Sequence, residues 1–387
     1  MMKNRFFGVI VLVLMMGLLA GCGSKGDEAN KRGLEYYANG QYEAAAEAFS
    51  EAIAKDNAVT EFYLNRVMAL IKLERYQDAA TSLSYAQHLE PDTTEVARAK
   101  GILYYAQGQY QSALNSFKTA VANNSGKAGE MVIDILRYTA ACQMELLQYA
   151  DAISTYDRLI DAGNKTAENY FQRGVAYLKS GKATEAGMDF NRVVESGKYE
   201  DYWRIYLLLV KNGQKEMGEQ FLAKAVMLED DSDSAHVWRG EFHYYLGSYD
   251  EALAEFNAAS KNVIDVDIYM MIANIYKEKG DFNRMKAAFS IAESRDPKHP
   301  SLLRQKTLFE MECENYDEAY AVIELAMTLE ENPYAQDMLY CQASCLEYLG
   351  RFEEALAAFE KYIGLYGSNE EIDHEIEFLK TRIEKAE

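Results

Sequence analysis

Few residues of this chain stand at spacings that support catalysis or metal binding. His374 and Glu375 begin a pattern that in zinc proteases continues with a second histidine four residues after the first, but Phe378 stands there. His236 and His243 lie two helical turns apart with no third ligand, so we expect them to be groove-lining or partly buried. There is no Gly-rich phosphate loop and no Gly-x-Ser-x-Gly motif. We therefore predict no enzyme, no metal site and no cofactor.

Two further clusters have structural interpretations. The acidic run at 229–234 lacks the ligand spacing, central glycine and closing glutamate of a calcium loop, so we expect a turn that caps the next helix. Cys341 and Cys345 lie four residues apart, and Cys142 occupies the same repeat position as Cys345. We expect these thiols to be small buried side chains.

Cys22 is the residue whose setting fits covalent chemistry. A short basic segment at 1–5 and a 14-residue apolar run at 6–19 precede it, and Ala20 and Gly21 stand directly before it. This layout is typical of a secretory signal, and the run is short for a bilayer-spanning helix. A thiol is a nucleophile, and small neighbours leave the backbone open to a peptidase.

The four residues Leu19-Ala20-Gly21-Cys22 resemble the bacterial lipobox. The resemblance implies that residues 1–21 are a cleaved signal peptide and that the Cys22 thiol carries lipid. Two or three acyl chains, such as palmitate, give durable membrane attachment, whereas one chain gives only reversible binding. We expect a lipoprotein anchored in a bacterial cell membrane and facing outside the cytoplasm, with a flexible tether at 22–29.

Residues 30–366 repeat a pattern of about 34 residues. Each unit has a small residue, a Gly-x-(Tyr/Phe) turn, a second small residue, and an aromatic residue four positions later. The first small position is occupied in turn by Gly33, Val67, Gly101, Ala140, Gly174, Tyr206, Gly240, Ala273, Thr307 and Ala343. Apolar residues follow helical spacing in two runs per unit, which predicts an antiparallel helix pair. Such a pair cannot bury its apolar face alone and must stack on its neighbours.

The pattern resembles the tetratricopeptide repeat (TPR) family. The resemblance implies an all-α, right-handed superhelical solenoid of about ten helix-turn-helix repeats. Tyr206 and Thr307 at the small position, and Glu314 in place of the turn glycine, predict local distortion. A polar segment at 123–129 is a candidate bend or boundary between two sub-stacks, and 367–387 is predicted to hold an amphipathic capping helix.

Composition sets limits on the partners. The formal net charge is −21, so phosphate backbones are repelled and nucleic acid is not an expected partner. The 49% hydrophobic fraction is sufficient for a continuous core. We expect a protein or peptide partner in the envelope, and the membrane itself through the anchor.

In TPR proteins the first helix of each repeat lines a concave groove that binds ligands. The positions that the resemblance assigns to this face are Arg98, Tyr105, Arg137, Tyr138, Phe171, Trp203, Arg204, Trp238, Tyr244, Tyr245, Met270, Met271, Arg304 and Tyr340. Aromatic residues, Met and Arg are enriched at protein-binding hot spots. The other interpretation of these side chains is that several pack against the neighbouring helix as core.

The leading hypothesis is a membrane-anchored interaction scaffold that holds an extended peptide or partner domain in this groove, with a role in envelope assembly. The alternative is a binding protein for a glycan or cell-wall fragment, since aromatic platforms suit sugars as well.

Overall fold

The computed structural model describes residues 24–91, 93–124, 129–259 and 264–384, and these ranges hold helices and no β-strand. The first ten helices are α1 Asp27–Ala38, α2 Tyr42–Lys55, α3 Thr60–Lys72, α4 Tyr76–Leu89, α5 Thr94–Ala106, α6 Tyr110–Asn123, α7 Glu130–Glu145, α8 Tyr149–Asp161, α9 Ala167–Lys179 and α10 Ala183–Val193. A short 3₁₀ helix, Val194–Ser196, follows. The later helices are α11 Tyr199–Lys211, α12 Lys215–Ala225, α13 Asp233–Tyr245, α14 Tyr249–Ala258, α15 Val266–Glu278, α16 Phe282–Arg295, α17 Pro300–Glu312, α18 Tyr316–Met327, α19 Ala335–Tyr348, α20 Phe352–Tyr366 and α21 Glu370–Glu384.

In the described ranges the helices form ten consecutive pairs, α1/α2 to α19/α20, followed by α21. The two helices of a pair pack against each other across a short turn. First helices of successive pairs also touch, α3 with α5 and α5 with α7, and likewise along α13, α15, α17 and α19. The predicted all-α fold of helix-turn-helix repeats is confirmed.

Four helix pairs are closed by a glycine that faces a phenylalanine. At Gly33 an added Cβ would lie 2.4 Å from the ring of Phe49, and Gly101 has the same relation to Phe117. The other two pairs are Gly174–Phe190 and Gly240–Phe256. These rings are fully buried, so the helices can cross this closely only because the glycine lacks a side chain.

In units six and nine the first helix carries a larger residue at the crossing, and the second helix carries an aliphatic residue in place of the aromatic ring. Tyr206 occupies the usual small position, and it faces Gly218, where an added Cβ would lie 3.0 Å from the Tyr206 ring. Leu222 stands where seven units have an aromatic ring. In unit nine the buried Thr307 is matched by Ile323. Both helix pairs remain regular, so the predicted distortion is wrong.

Each turn inside a pair contains one residue with positive φ. In seven turns it is glycine, with φ between 71° and 80°. In the other three it is Glu74, Leu147 or Glu314, with φ of 58°, 59° and 60°. Glu314 therefore adopts the glycine conformation instead of changing the turn, at the usual energetic cost of a left-handed residue.

The N-terminal helix begins inside the segment predicted as a tether. Residues 27–29 belong to α1, and Ala29 is fully buried against Ala52 and Phe62. The flexible tether predicted at 22–29 is therefore wrong for residues 27–29, because the first turn of α1 packs against apolar residues of the first two repeats. The signal segment at 1–21 and Cys22 lie outside the described residues.

The chain divides into two compact units between Asp201 and Tyr202, not at 123–129. A single core cluster runs from Tyr37 to Cys142. Within it the rings of Phe117 and Tyr138 are stacked at 5.6 Å, which joins α6 to α7. A boundary at 123–129 is therefore wrong. The bend stays a prediction, since residues 125–128 lie outside the described ranges.

The last helix covers the end of the second unit. Ile372, Ile376 and Leu379 of α21 are buried and pack with Leu346 and Phe359 of the final pair. This is the arrangement predicted for a capping helix. Across the described ranges, each helix is too short or too polar to serve as a membrane span.

Candidate binding groove

The second unit contains a cleft across the first helices of three successive repeats, α13, α15 and α17. Its volume is about 410 Å³. The lining residues are Val237, Glu241, Asp265, Asp267, Ile268, Met270, Met271, Ser301, Arg304, Gln305 and Tyr334. We call this cleft the α13–α17 groove. Because first helices are neighbours in each stack, a surface formed by three of them is continuous over three repeats.

One wall of the groove is apolar. Val237, Ile268 and Met271 come from α13 and α15, and Met270 is almost fully buried beneath them against Val266. Methionine has an unbranched, polarisable side chain that adapts to ligands of different shape. This wall can therefore pack against the aliphatic part of a bound side chain.

Three carboxylates line the same groove. Asp265 precedes α15 and accepts a hydrogen bond from the Ile268 amide at 3.0 Å, which caps the helix. Asp267 lies exposed in the first turn, where a negative charge is favoured by the helix dipole. Glu241 on α13 has neither a hydrogen-bond nor an ion-pair partner among the described residues. Burial, together with the charges of Asp265 and Asp267, raises the pKa of Glu241 to about 7.

Among the described residues that line the groove, Arg304 is the one cation, and it is already engaged. Arg304 Nε donates to Asp337 Oδ2 at 2.7 Å, and its guanidinium lies over the Tyr334 ring at 5.3 Å. The Tyr334 hydroxyl is 3.1 Å from Ser301 Oγ. In contrast, the buried Oε1 of Gln305 has no hydrogen-bond donor in the described part of the chain. The groove thus presents acceptors in excess over free donors.

Next to the groove, α11 and α13 carry an aromatic cluster, which we call the Trp203 cluster. The Trp203 ring lies 5.3 Å from Tyr206, 4.9 Å from Tyr245 and 6.2 Å from Phe242. Trp238 lies 5.5 Å from Phe242. Both tryptophans are half-buried, so their rings stabilise the fold and still offer partly exposed faces.

In the first unit the predicted groove residues are mostly structural. Tyr138 and Phe171 are 6% and 3% exposed, so assigning them to a ligand surface is wrong. They turn into the stack because their rings pack on the neighbouring residues Phe117 and Phe190. The half-buried Tyr105 packs edge-on against Tyr138 at 5.5 Å.

The arginines of the first unit hold repeats together. Arg98 is buried and its Nε donates to Asp134 Oδ2 at 2.6 Å, linking α5 to α7. Burial raises the Asp134 pKa, and the Arg98 charge opposes that effect. Arg137 donates to Asn164 Oδ1 at 3.2 Å. Arg98 is therefore an inter-repeat ion pair and not a ligand contact, contrary to the prediction.

In the second unit several predicted residues come together. Met270, Met271 and Arg304 line the groove, although Met270 is too buried to be a ligand contact of its own. Tyr244 and Tyr245 are half-buried and lie edge-on to each other at 5.3 Å beside the Trp203 cluster. Arg204 is exposed on α11. The Tyr340 hydroxyl donates to Glu371 of α21 at 3.0 Å, so the final helix engages it.

Sequence reasoning missed the polar groove residues, above all Glu241, Asp265 and Gln305. The repeat register contained a signal for them. Gln305 occupies the same register position as Met271 of the preceding repeat, and Glu241 directly follows the small residue Gly240. A prediction based on the residue types enriched at hot spots selects aromatic residues, Met and Arg, and so leaves out these carboxylate and amide side chains.

The remaining titratable clusters have structural roles. His236 Nδ1 is 2.6 Å from Glu255 Oε2, and Arg239 Nε donates to Glu255 Oε1 at 3.0 Å. His243 is partly buried, and burial lowers its pKa. Ser232 Oγ accepts from the Ala235 amide, which confirms the cap predicted for the acidic run. No group of three or more His, Cys, Asp and Glu side chains within the described ranges could hold a metal ion.

Two family models described as tetratricopeptide repeat match this chain. One matches residues 30–93 and 143–201, and the other matches 266–299 and 337–369. These segments coincide with helix pairs of both compact units. The chain contains tetratricopeptide repeats.

Similar proteins carry the same repeats. The TPR repeat-containing protein YpiA of Bacillus subtilis is 26% identical over 72% of this chain and 65% of its own length. A TPR repeat-containing protein of Methanocaldococcus jannaschii is 22% identical over 64% of this chain and 45% of its own length. The chain thus spans about half to two thirds of these relatives. The crystal structure of PilW, described as a type IV pilus biogenesis factor, aligns with a TM-score of 0.46 and 15% identity over 52% of this chain and 92% of that one.

Proposed function

We propose that this chain of tetratricopeptide repeats is a lipid-anchored scaffold outside the cytoplasm that binds an extended peptide or partner domain in the α13–α17 groove. The observation that carries the proposal is the groove itself, an opening of about 410 Å³ across three first helices. It combines an apolar wall with carboxylates and a buried amide acceptor. A small number of polar groups beside apolar side chains is the usual composition of a binding site.

The anchor is the second part of the proposal. It is supported by the Leu19-Ala20-Gly21-Cys22 motif at the end of an apolar run. A scaffold fixed at Cys22 would hold its partner at the membrane surface, which suits a role in envelope assembly. Folded repeats begin at Asp27, so the linker between lipid and protein would be only a few residues long.

A blocking substitution tests the groove. Ser301 lines the groove in the first turn of α17, and Ser301→Trp would fill much of it. The matched control is Ser290→Trp on α16, an exposed serine of a second helix outside the groove. Chemical cross-linking in the intact envelope, followed by purification of this protein, should recover a partner with the parent and with Ser290→Trp but not with Ser301→Trp. Equal recovery with all three would refute the groove as the binding site.

A glycan ligand is the second candidate, favoured by the half-buried rings of Trp203 and Trp238. Sugars stack on such rings through their apolar faces. Titration of the purified protein with cell-wall fragments tests it. Saturable binding that Trp238→Ala weakens and Ser301→Trp leaves intact would favour the Trp203 cluster and a glycan.

A further inference from the structure

The α13–α17 groove has an imbalance of charge that selects among peptide ligands. The ionisable side chains that line it are Glu241 from α13, Asp265 and Asp267 at the start of α15, Arg304 from α17, and the Tyr334 phenol. Asp267 also lies 3.9 Å from the Nδ1 of His299, which precedes α17. The Arg304 charge is paired with Asp337 outside the lining.

The uncharged polar groups point to the same ligand chemistry. The buried Oε1 of Gln305 has no hydrogen-bond donor among the described residues. A buried acceptor without a donor costs free energy, which a ligand that donates hydrogen bonds recovers. Ammonium and guanidinium groups carry only donors, and their charge complements the carboxylates.

The shape of the groove suits a long side chain. Val237, Ile268 and Met271 form the apolar wall, and the carboxylates lie in the same cleft. Lysine and arginine combine an aliphatic stem with a cationic end, so the stem can pack on apolar surface while the end reaches polar groups.

We propose that the α13–α17 groove binds the side chain of a lysine or arginine in an extended, basic segment of the partner protein. The inference rests on the proposed function, since it names the ligand chemistry of that same groove. The cation lies between Glu241 and Asp267, rotation of the Gln305 amide lets its Oε1 accept a hydrogen bond from the cation, and the stem covers Met271. An acidic chain with a net charge of −21 also attracts a basic segment from a distance.

Binding of a cation is coupled to a proton at Glu241. The pKa of Glu241 is about 7 in the free groove, because of burial and of Asp265 and Asp267. A bound cation favours the carboxylate and lowers this pKa. Below pH 7 the carboxyl must lose its proton for the cation to bind, so affinity falls on acidification. From pH 8 to pH 6 we expect a loss of about tenfold.

The test uses the full-length protein in detergent and four pools of nine-residue peptides. The pools share random flanks and differ in the central residue, which is Arg, Lys, norleucine or Glu. Binding is measured by fluorescence anisotropy at pH 6 and pH 8. We expect the Arg and Lys pools to bind at least tenfold more tightly than the norleucine pool at pH 8, and the Glu pool to bind least.

Two groove variants and one control locate the effect. Glu241→Gln keeps the shape of the side chain and should remove both the preference for Arg and the pH dependence. Asp267→Asn changes an exposed residue, cannot unfold the helix pair, and should weaken the Arg pool several-fold. Glu324→Gln, the same charge change on an exposed site of α18, should behave as the parent.

The outcomes separate the two proposals. If all pools bind equally and Ser301→Trp abolishes binding, the groove binds peptides but the cation site is wrong. If the Arg preference persists in Glu241→Gln and Asp267→Asn, the cation is held elsewhere and the inference is also wrong. If no pool binds, both the proposed peptide-binding function and the proposed cation site are wrong.

Discussion

At the scale of single residues, three turns carry a side chain where seven carry glycine. Glu74, Leu147 and Glu314 have φ near 60°, a region that costs an L-residue about 1 kcal/mol or more. The backbone at these turns matches that of the glycine turns, so the side chains are tolerated and not required. Leu147 is also largely exposed and loses little packing if it is removed.

Replacing each of these residues with glycine is expected to stabilise the protein. Glu74→Gly, Leu147→Gly and Glu314→Gly should each raise the free energy of unfolding by about 0.5–1 kcal/mol, because relief of the left-handed strain exceeds the entropy gained by the unfolded chain. Urea denaturation followed by circular dichroism measures the change. Gln107→Gly is the control, since Gln107 has φ −82° and should lose stability. A loss at all four positions would contradict the strain argument.

The cysteines differ sharply in their expected reactivity. Burial raises the pKa of Cys142 and Cys345 to about 12, and it also raises the pKa of Cys341. Cys313 is exposed. The thiolate is the nucleophile that attacks thiol reagents, so the buried thiols should be inert near neutral pH.

Labelling with an aromatic disulfide at pH 8 is expected to modify Cys313 quickly and the three buried thiols only on unfolding. Mass spectrometry of proteolytic peptides identifies the labelled sites. With Cys22 replaced by alanine, Cys313→Ser should remove the fast phase completely. Rapid labelling of Cys142 in the folded protein would show that the first core cluster opens readily.

At the scale of helix pairs, one rule relates all ten units. A glycine or alanine on the first helix meets an aromatic residue on the second, whereas the larger residues Val67, Tyr206 and Thr307 meet aliphatic ones. Unit two has Val67 with Leu83, and unit six has Tyr206 with Leu222. A larger side chain on the first helix is therefore matched by a smaller one on the second, as expected for a close-packed interior.

This rule predicts a compensating pair of substitutions. Gly101→Val adds a branched side chain at a position where an added Cβ alone would lie 2.4 Å from the Phe117 ring, and should cost about 2–3 kcal/mol. Adding Phe117→Leu recreates the combination found in unit two and should recover about 1 kcal/mol or more. Phe117→Leu alone should destabilise, since it leaves a cavity. Thermal and urea unfolding of the two single variants and the double variant test this. Simple additivity would refute the rule.

The helix pairs were predictable because their pattern is local. The recurrence of Gly33, the turn and Phe49 every 34 residues fixes which helix meets which. Side-chain direction within a first helix was less predictable. Tyr138 and Phe171 turn into the core. The direction of such a side chain depends on the exact rotation of its helix against the neighbouring helix, which the repeat pattern does not specify. The raised pKa of Glu241 was equally hidden, since its causes include residues of the next repeat.

At the scale of the whole molecule, the groove and the proposed anchor site at Cys22 are separate features. The groove belongs to repeats seven to nine, far along the sequence from Cys22. The residues that line the groove lie far from Cys22 in the sequence, so ligand binding and membrane location can be lost independently. A soluble form without the anchor should therefore keep its affinity for a ligand.

The last prediction concerns the anchor. Cys22→Ala removes the thiol that the lipobox resemblance requires for acylation, so the protein should leave the membrane fraction or accumulate as an uncleaved precursor. Fractionation with mass spectrometry of the intact chain measures both, and the parent should carry the added mass of acyl chains. Cys313→Ser, which alters an exposed thiol within the repeats, should leave membrane attachment unchanged. If Cys22→Ala stays in the membrane with the mass of the parent less one sulfur atom, the chain is held there by something other than lipid at Cys22.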